Sequence, residues 1–394
     1  MGFPSRLEIP EPILEIARTL EAAGFEAWCV GGTLRDILLG HPQSDYDIAT
    51  SATPDQVRKL FPRTVAVGIK YGTIGVLDRK RELHEVTTFR RDVATDGRHA
   101  VVAYGVALEE DLARRDFTIN AIAYHPLRQE WRDPFHGARD LEKRLIRAVG
   151  DPEQRFREDY LRILRALRFA ARFDFQIEPA TWEAARATAS GLARLSAERV
   201  RDEWFKSLRT AVSLSRLVSL WHEVGAAAMW MPELRSSAGL DQIMFPPGSK
   251  RDPVWLTAFL CSNPVAVLQR LKASTAEIDR ARGMERGPEA PTDASERSVR
   301  RWLSETGDSA DDLSALWHLR HGTEPPWQGS VREIRRRGDA LKRSDLAVSG
   351  HDLEALGATG PRVGRLLAAL LERVLDDPKL NTRDRLLALA RKME

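Results

Sequence analysis

The sequence predicts an α+β fold, in which a mixed β-sheet with flanking helices precedes a long all-helical region. Up to about residue 148, short runs rich in Val, Thr and Ile alternate with amphipathic segments. After Pro152 the strand signals fade, and apolar side chains recur at helical spacing to the end. The 394 residues are enough for about two to four domains.

The first part contains clear element boundaries. The first helix ends at Gly24, as glycine commonly ends a helix. Thr53, Pro54 and Gln56 have the order of a capping residue, a first-turn proline and the partner in a capping box. The pattern predicts helices over 12–23 and 33–39 and one that starts after Thr53, and strands over 26–30, 46–49, 64–67, 73–77 and 83–89.

The helical remainder is divided by segments rich in proline and glycine. Residues 283–297 are typical of a linker or loop, 322–329 form a second break, and 357–360 form a turn before a helix over 363–375. We find no internal repeat and no low-complexity tract.

The bulk composition excludes several classes of protein. Sixty basic residues oppose 57 acidic ones, and the net charge of +3 permits a nucleic-acid partner without requiring one. Cys29 and Cys261 are the only cysteines, so a disulfide framework is not expected. No apolar run approaches the ~18 residues of a membrane span, and the N-terminus lacks a secretory signal. A soluble, cytoplasmic protein is therefore expected.

The most informative motif is a pair of carboxylates, Asp45 and Asp47, which follows the glycine pair Gly31-Gly32. On an extended segment, residues two apart point to one face, so both carboxylates can hold divalent metals. A Gly-Gly turn lets backbone amides approach phosphate closely. Together they indicate phosphoryl or nucleotidyl transfer. Alone, the Asp-Tyr-Asp triplet is equally compatible with a surface turn.

Two further segments carry candidate ligands. On the strand 83–89, alternation puts Glu85 on one face with Thr87 and Phe89, where it is a candidate third carboxylate or an ordinary exposed residue. In the segment 108–123, Arg114 and Arg115 suit triphosphate oxygens. If this segment is helical, Asp116 and Asn120 reach a common ligand such as a ribose. The alternative is a solvated charge run.

The segment 157–162 opens a long predicted helix. There, Asp159 and Arg162 lie three residues apart and offer an acceptor and a donor to the edge of a base. Arg165 and Arg168 continue a basic edge; the alternative is a surface ion pair. The densest basic cluster, Arg332 to Arg343, is compatible with an RNA backbone contact or with a solvated helix face.

These segments, in this order, resemble the class II tRNA nucleotidyltransferase / poly(A) polymerase family, most of all its bacterial CCA-adding members. The resemblance is carried by GGTLRD (31–36), DYD (45–47), EVTTFR (85–90), RRDFTIN (114–120) and REDYLR (157–162). It is weaker after about residue 210. It implies a nucleotidyltransferase head (1–148), a helical neck that recognises the base (149–208), a helical body (209–322) and a helical, tRNA-binding tail (323–394).

The resemblance also implies roles for single residues. Asp45 and Asp47 would bind two Mg²⁺ ions and activate an RNA 3′-hydroxyl, with Glu85 as accessory carboxylate. The nucleotide-binding set would be Gly31, Gly32, Arg35, Arg114, Arg115, Asp116, Asn120, Asp159, Arg162 and Arg165. Within that set, Asp159 and Arg162 would read the base of CTP or ATP without a nucleic-acid template. The implied partners are the tRNA 3′ end and acceptor stem, with no membrane and no protein partner.

Family members differ in their product. Poly(A) polymerases carry a Gly-Arg-Arg-Phe-type run that is missing here, and no His/Asp phosphohydrolase cluster follows residue 210. CC-only members have a shortened loop before the LEEDL segment, whereas residues 91–107 retain Asp96-Gly97-Arg98. Full CCA addition is therefore preferred over poly(A), CC-only or A-only addition. A silent RNA-binding protein and a small-molecule nucleotidyltransferase are the more distant alternatives.

Overall fold

The computed structural model describes residues 2–41, 45–69, 72–95, 100–243, 245 and 251–393. The chain divides into two compact units, one of residues 1–232 and 236–241, the other of residues 233–235 and 242–394. The division into head, neck, body and tail stays a prediction. Among the described residues, no helix is both long enough and apolar enough to cross a membrane.

The first unit has the predicted combination of a sheet with many helices. Its helices are α1 (Glu11–Ala22), α2 (Gly32–Leu38), α3 (Pro54–Leu60), α4 (Leu108–Ala113), α5 (Gly137–Glu142), α6 (Pro152–Glu158), α7 (Leu161–Phe173), α8 (Pro179–Ala187), α9 (Ala197–Thr210), α10 (Leu214–Glu223) and α11 (Ala226–Trp230). Its strands are β1 (Ala27–Val30), β2 (Asp47–Thr50), β3 (Thr64–Gly68), β4 (Thr73–Leu77), β5 (Leu83–Thr88), β6 (Arg90–Thr95), β7 (Ala100–Tyr104), β8 (Ala123–His125), β9 (Glu130–Arg132), β10 (Leu145–Ile146) and β11 (Gln176–Ile177).

The main sheet has seven strands in the order β3-β4-β5-β2-β1-β8-β9. The sheet is mixed because β2 and β5 run parallel, whereas the other neighbours are antiparallel. Its register aligns one row of residues across the strands: Val65 faces Gly75, Gly75 faces Glu85, and Asp47 faces Val30. Directly opposed residues point to the same side of a sheet, so this row lies on one face.

The two faces of the sheet differ in what covers them. On one face, Ile74, Val76 and Val86 are completely or almost completely buried, and α3 packs against β4 and β5. On the opposite face, Val30 and Ala49 form a core with Leu108 and Leu112 of α4 and with other apolar side chains. The alternation of strand side chains therefore places Asp47 and Glu85 on the face that also carries α4.

Most of the predicted elements of the first part are confirmed within one or two residues. The helix start at Thr53 is a complete capping box with Gln56. One prediction was wrong in detail. The long helix does not begin at 157: α6 ends at Glu158, and Asp159 has extended backbone, with φ −155°. The segment 108–123 is helical only over α4, and a single 3-10 turn follows at Thr118–Asn120.

The second unit is helical. Its helices are α12 (Pro253–Leu260), α13 (Pro264–Arg270), α14 (Thr275–Arg286), α15 (Glu296–Thr306), α16 (Ala310–His321), α17 (Gln328–Arg337), α18 (Gly350–Glu354), α19 (Pro361–Asp376) and α20 (Arg383–Lys392). The three predicted breaks at 283–297, 322–329 and 357–360 fall at helix ends or between helices. Leu353, Leu370, Val374 and Leu386 are completely buried and belong to its core.

Candidate active site

A glycine turn between β1 and α2 opens the site. Gly31 has φ 83°, a backbone conformation that favours glycine. A side chain at Gly31 would also approach Arg115 Nη1 to 3.0 Å and Asp47 Oδ2 to 3.7 Å. At Gly32, a Cβ atom would lie 3.2 Å from Arg35 Nη2. The two glycines therefore leave room for a ligand between the backbone, the arginines and the carboxylate.

The predicted carboxylates Asp45, Asp47 and Glu85 influence one another electrostatically near the start of β2, but their oxygen atoms do not all lie within 4.8 Å of one another. Tyr46 is buried while its neighbours Asp45 and Asp47 are exposed, so the triplet alternates as an extended segment does. Desolvation of its carboxylate at the wall of the site, together with the negative charges of Glu85 and Asp45, raises the pKa of Asp47, although Arg115 opposes this shift. Glu85 and Asp45 therefore place negative charge beside Asp47, which a divalent cation would neutralise.

Arg114 and Arg115 are held by a buried acid that the sequence did not identify as a site residue. Asp111 pairs with Arg114 at 2.8 Å and with Arg115 at 3.3 Å, and its side chain is 1% exposed. Burial alone would raise the pKa of Asp111, but the two guanidinium groups outweigh this effect and lower it. Asp111 therefore fixes both arginines and stays ionised.

Asp116 is the centre of a buried hydrogen-bond network. Its Oδ1 accepts from Asn120 Nδ2 at 2.9 Å, and its Oδ2 accepts from Arg165 Nε at 2.7 Å. Asn120 in turn accepts from Arg35 Nη1 at 2.6 Å through its Oδ1. Asp116 and Asn120 are brought into contact by a 3-10 turn, and the common ligand expected for them stays a prediction. The network joins α2, the 3-10 turn and α7.

The break between α6 and α7 gives Asp159 and Arg162 different partners. Asp159 Oδ1 caps α7 by accepting from Leu161 N at 3.0 Å, and its Oδ2 accepts from Arg199 Nη2 of α9 at 2.7 Å. Arg162 Nη1 donates to Glu158 at 2.7 Å, and its Nη2 donates to the carbonyl oxygen of Arg114 at 3.0 Å. Both side chains are therefore held in place within the protein.

These groups line one open pocket of about 620 Å³ in the first unit. The pocket contains every predicted site residue except Asp45, which lies at its border through its interaction with Asp47. Nine arginines and four carboxylates line it, so the pocket suits an anion of high charge. The lining arginines are Arg35, Arg90, Arg114, Arg115, Arg162, Arg165, Arg168, Arg172 and Arg199.

The sequence did not indicate several residues that hold the side chains of the pocket in place. Arg199 reaches Asp159 from α9, and Glu203, which is 2% exposed, pairs with Arg168 at 2.7 Å. Phe169 lies under the guanidinium groups of both Arg35 and Arg168, at 5.0 and 4.2 Å from the ring centre. No local motif marks these residues, because their role depends on the packing of α7 against α9.

Another group with metal-ligand chemistry lies on the turn between β4 and β5. The carboxylate oxygens of Asp78 and Glu82 and a ring nitrogen of His84 lie within 4.8 Å of one another. Asp78 already accepts from the backbone N–H of Glu82 at 2.8 Å, and it lies 3.4 Å from His84 Nε2. None of the three lines the pocket, and their contacts fit a hydrogen-bonded hairpin turn.

Comparison with known proteins identifies the family. Residues 27–147 match the family described as "Poly A polymerase head domain", and residues 174–237 match "Probable RNA and SrmB- binding site of polymerase A". The CCA-adding enzyme of Streptococcus thermophilus is 34% identical over 414 residues, covering 100% of this chain and 98% of that protein. The chain belongs to the CCA-adding enzyme family.

Other relatives agree over shorter or more divergent alignments. The CCA-adding enzymes of Streptococcus suis and Streptococcus mutans are 47% and 48% identical, but these alignments span only 54% and 51% of those enzymes' length. The crystal structure of the Bacillus stearothermophilus CCA-adding enzyme in complex with CTP aligns over 97% of each chain, with 32% identity and a TM-score of 0.81. The Thermotoga maritima CCA-adding enzyme complexed with tRNA, 20% identical with a TM-score of 0.63, shares the fold.

Proposed function

We propose that the protein is a CCA-adding tRNA nucleotidyltransferase, which adds C, C and A to the tRNA 3′ end from CTP and ATP without a nucleic-acid template. The observation that carries the proposal is the arginine-rich pocket, where the glycine turn, Asp47, Glu85, Asp159 and Arg162 come together. In the reaction, the RNA 3′-oxygen attacks the α-phosphorus of the incoming nucleotide, and pyrophosphate leaves.

The triphosphate would bind between the glycine turn and the arginines. Gly31 leaves the approach open, and Arg115 lies beside it, held by Asp111. Arg35 is buried, donates to Asn120 and rests on Phe169, so its guanidinium keeps one position. Arginines that are positioned before the substrate arrives stabilise phosphate charge without further ordering, which favours catalysis.

The carboxylates fit a divalent metal, which we propose to be Mg²⁺. Asp45, Asp47 and Glu85 would hold it, because hard oxygen ligands and the shared negative charge at Asp47 suit this ion. Bound Mg²⁺ would supply activation of the 3′-hydroxyl and stabilisation of the leaving oxygen. Arg115 lies beside the same glycine as Asp47 and would neutralise charge on the leaving group.

Base selection would depend on Asp159 and Arg162. A carboxylate oxygen of Asp159 can accept from an exocyclic amino group, which cytosine and adenine have and uracil lacks. Arg162 has only donors and can meet the ring acceptors of the same bases. Because both side chains are tied to α6, α9 and backbone carbonyls, they form a fixed edge on which a base is read.

The decisive experiment is a primer-extension assay with Mg²⁺ on three tRNA transcripts, which end at the discriminator base, at C and at CC. Each receives CTP, ATP or both. Growth by CCA followed by a stop supports the proposal. A stop at CC indicates a CC-only enzyme, action on the CC-ended transcript alone indicates an A-adding enzyme, and long A tails indicate a poly(A) polymerase. No extension at all contradicts the proposal.

Two finer predictions accompany the proposal. Full CCA addition was preferred on the residues Asp96-Gly97-Arg98, which lie outside the described residues, so the relatives' shared name is now its main support. A cytoplasmic location is supported by Cys29 and Cys261, which are both free and buried, as is usual in a reducing compartment.

A further inference from the structure

Within the part of the chain that the structure describes, the sheet face that carries the carboxylates is covered over only part of its width. Over β1 and β2 it packs against α4 in the core that contains Trp28, Val30 and Ala49. Over β3 and β5 the side chains of Val65, Val67 and Leu83 are 44%, 44% and 43% exposed. Asp47 and Glu85 lie at the boundary between the two parts.

The exposed part is a continuous apolar surface. Val65 faces Gly75 in the register, and Gly75 faces Glu85. Gly75 has no side chain, and a Cβ there would meet Leu83 Cδ1 at 2.5 Å and Val67 Cγ2 at 2.8 Å. The two side chains therefore close over the glycine. We call the surface formed by Val65, Val67 and Leu83 over Gly75 the apolar strip.

The apolar strip begins close to the catalytic carboxylates. Two strand spacings of about 4.8 Å separate Val65 from Glu85 across the sheet. Leu83 lies on the same strand and the same face as Glu85, two residues or about 7 Å away. Stacked nucleotides are about 3.4 Å apart. If the end of a nucleic-acid strand reacts beside Glu85, its last two or three nucleotides would therefore lie over the strip.

Cations border the end of the strip near Leu83. Arg63 directly precedes β3, and its carbonyl oxygen accepts from Leu77 N at 3.1 Å. Residues 79–81 (Arg-Lys-Arg) are exposed on the turn that connects β4 to β5, and Arg79 pairs with Glu15 of α1 at 3.0 Å. Of the two acids on that turn, Asp78 accepts a bond from the backbone of Glu82. The border therefore carries an excess of positive charge.

We propose that the apolar strip binds the unpaired 3′-terminal bases of the RNA acceptor, while the bordering cations meet its phosphates. The proposal rests on the proposed function and assigns the acceptor side of the same site. Bases have apolar faces that pack on exposed apolar side chains, and the adjacent phosphates need cations. A second copy of the chain is a poorer occupant, because it would bring the same cations against Arg63 and residues 79–81.

The test uses the full-length protein with paired variants. Val67→Thr combined with Leu83→Thr keeps β-forming side chains of modest size and removes apolar surface. Val67→Tyr enlarges the stacking surface. Val212→Thr is the matched control, since Val212 is an exposed apolar residue, 58% exposed, that does not line the pocket. Thermal unfolding of each variant verifies that the fold is retained.

The first readout is steady-state kinetics on a tRNA transcript ending in CC. We expect the double variant to raise the KM for tRNA about five- to tenfold and to leave the KM for ATP unchanged. Val67→Tyr should lower the KM for tRNA, and Val212→Thr should change neither constant. Equal tRNA KM values in the wild type and the double variant would overturn the proposal.

A second readout separates the strip from the proposed activity. A CC-ended tRNA carrying 4-thiouridine in place of its last nucleotide is crosslinked by light, and the attached peptide is identified by mass spectrometry. We expect the RNA to be crosslinked within residues 63–85 even if no nucleotide is added. A crosslink elsewhere would contradict the proposal that the strip binds RNA. If the double variant changes only the molecular mass in solution and not RNA binding, the surface serves a second copy and the proposal is wrong.

Discussion

The arginines of the pocket and those of helix α17 contrast within one chain. In the pocket, several guanidinium groups pair with buried acids, as Arg165 does with Asp116 and Arg168 with Glu203. On α17, Arg335, Arg336 and Arg337 are more exposed as a group, and Arg336 pairs with Glu333 one turn away. The cluster with the highest charge density in the sequence is thus largely paired with surface acids.

This difference shows that the density of basic residues along the chain is a poor guide to an anion site. A helix such as α17 can place several arginines together, but exposed acids already pair with them and solvent screens these pairs. A pocket requires that cations from several elements converge and be fixed there. If this is so, nucleotide addition depends on the arginines of the pocket and not on those of α17.

The largest effect is expected for Asp47→Asn. This change removes the charge of a proposed metal ligand at the start of β2 and should reduce nucleotide addition about a thousandfold or more. Because the fold and the basic surfaces are unchanged, tRNA binding in a filter assay should persist. Asp55→Asn is the matched control, since Asp55 is an exposed carboxylate in the first turn of α3. Near-normal turnover by the Asp47 variant would refute the metal assignment.

The next prediction concerns the buried Asp116. Burial by itself would raise its pKa, but Arg165 and Asn120 outweigh this effect and lower it to about 2 from 3.8. Because the folded-state pKa is depressed, the ionised carboxylate stabilises the protein above pH 4, and this stabilisation is lost as the pH falls toward 2. It amounts to about 2 kcal/mol.

Chemical denaturation between pH 2 and 6 measures this contribution. In the wild type, the free energy of unfolding should fall as the pH drops from 4 to 2. In Asp116→Asn this fall should be smaller by about 2 kcal/mol. The same pH dependence of unfolding in the variant and the wild type would mean that Arg165 and Asp116 are not paired in solution. Asp55→Asn again serves as control, since its carboxylate is exposed.

A smaller, selective effect is expected for Arg199→Ala. Arg199 holds Oδ2 of Asp159, so its loss frees this carboxylate to rotate and to accept the wrong base. The ratio of kcat/KM for CTP to that for UTP should fall about tenfold. Arg199→Lys should restore part of the ratio, and Arg201→Ala on the same helix should not change it. An unaltered ratio would show that Asp159 is oriented without α9.

The smallest effect is expected on α17. Arg335→Ala combined with Arg336→Ala removes two exposed guanidinium groups that pair with Asp311 and Glu333. We expect thermal stability to remain within error and tRNA affinity to change less than about threefold. A loss of affinity of tenfold or more, with a flatter salt dependence, would place RNA phosphates on α17 and reverse the comparison.

The sequence predicted the pocket better than it predicted the backbone that forms it. Alternation correctly placed Glu85 and Thr87 on one face of the sheet, and the capping signals correctly located the start of α3. The interruption at Asp159 was missed because residues 157–162 continue the apolar helical period, so nothing local marks the break. Arg199 was missed because its partner is forty residues away.

The sequence alone determined the order of the elements, the chemistry of each motif and the family resemblance, because these depend on residue types at short spacing. Only the tertiary structure decided which charges meet. Asp116 is paired with Arg165 across 49 residues, and the sheet register brings Val65 and Gly75 into the row of Glu85. These contacts depend on how α7, α9 and the sheet pack together. That packing involves side chains throughout the first unit, so no short stretch of sequence encodes it.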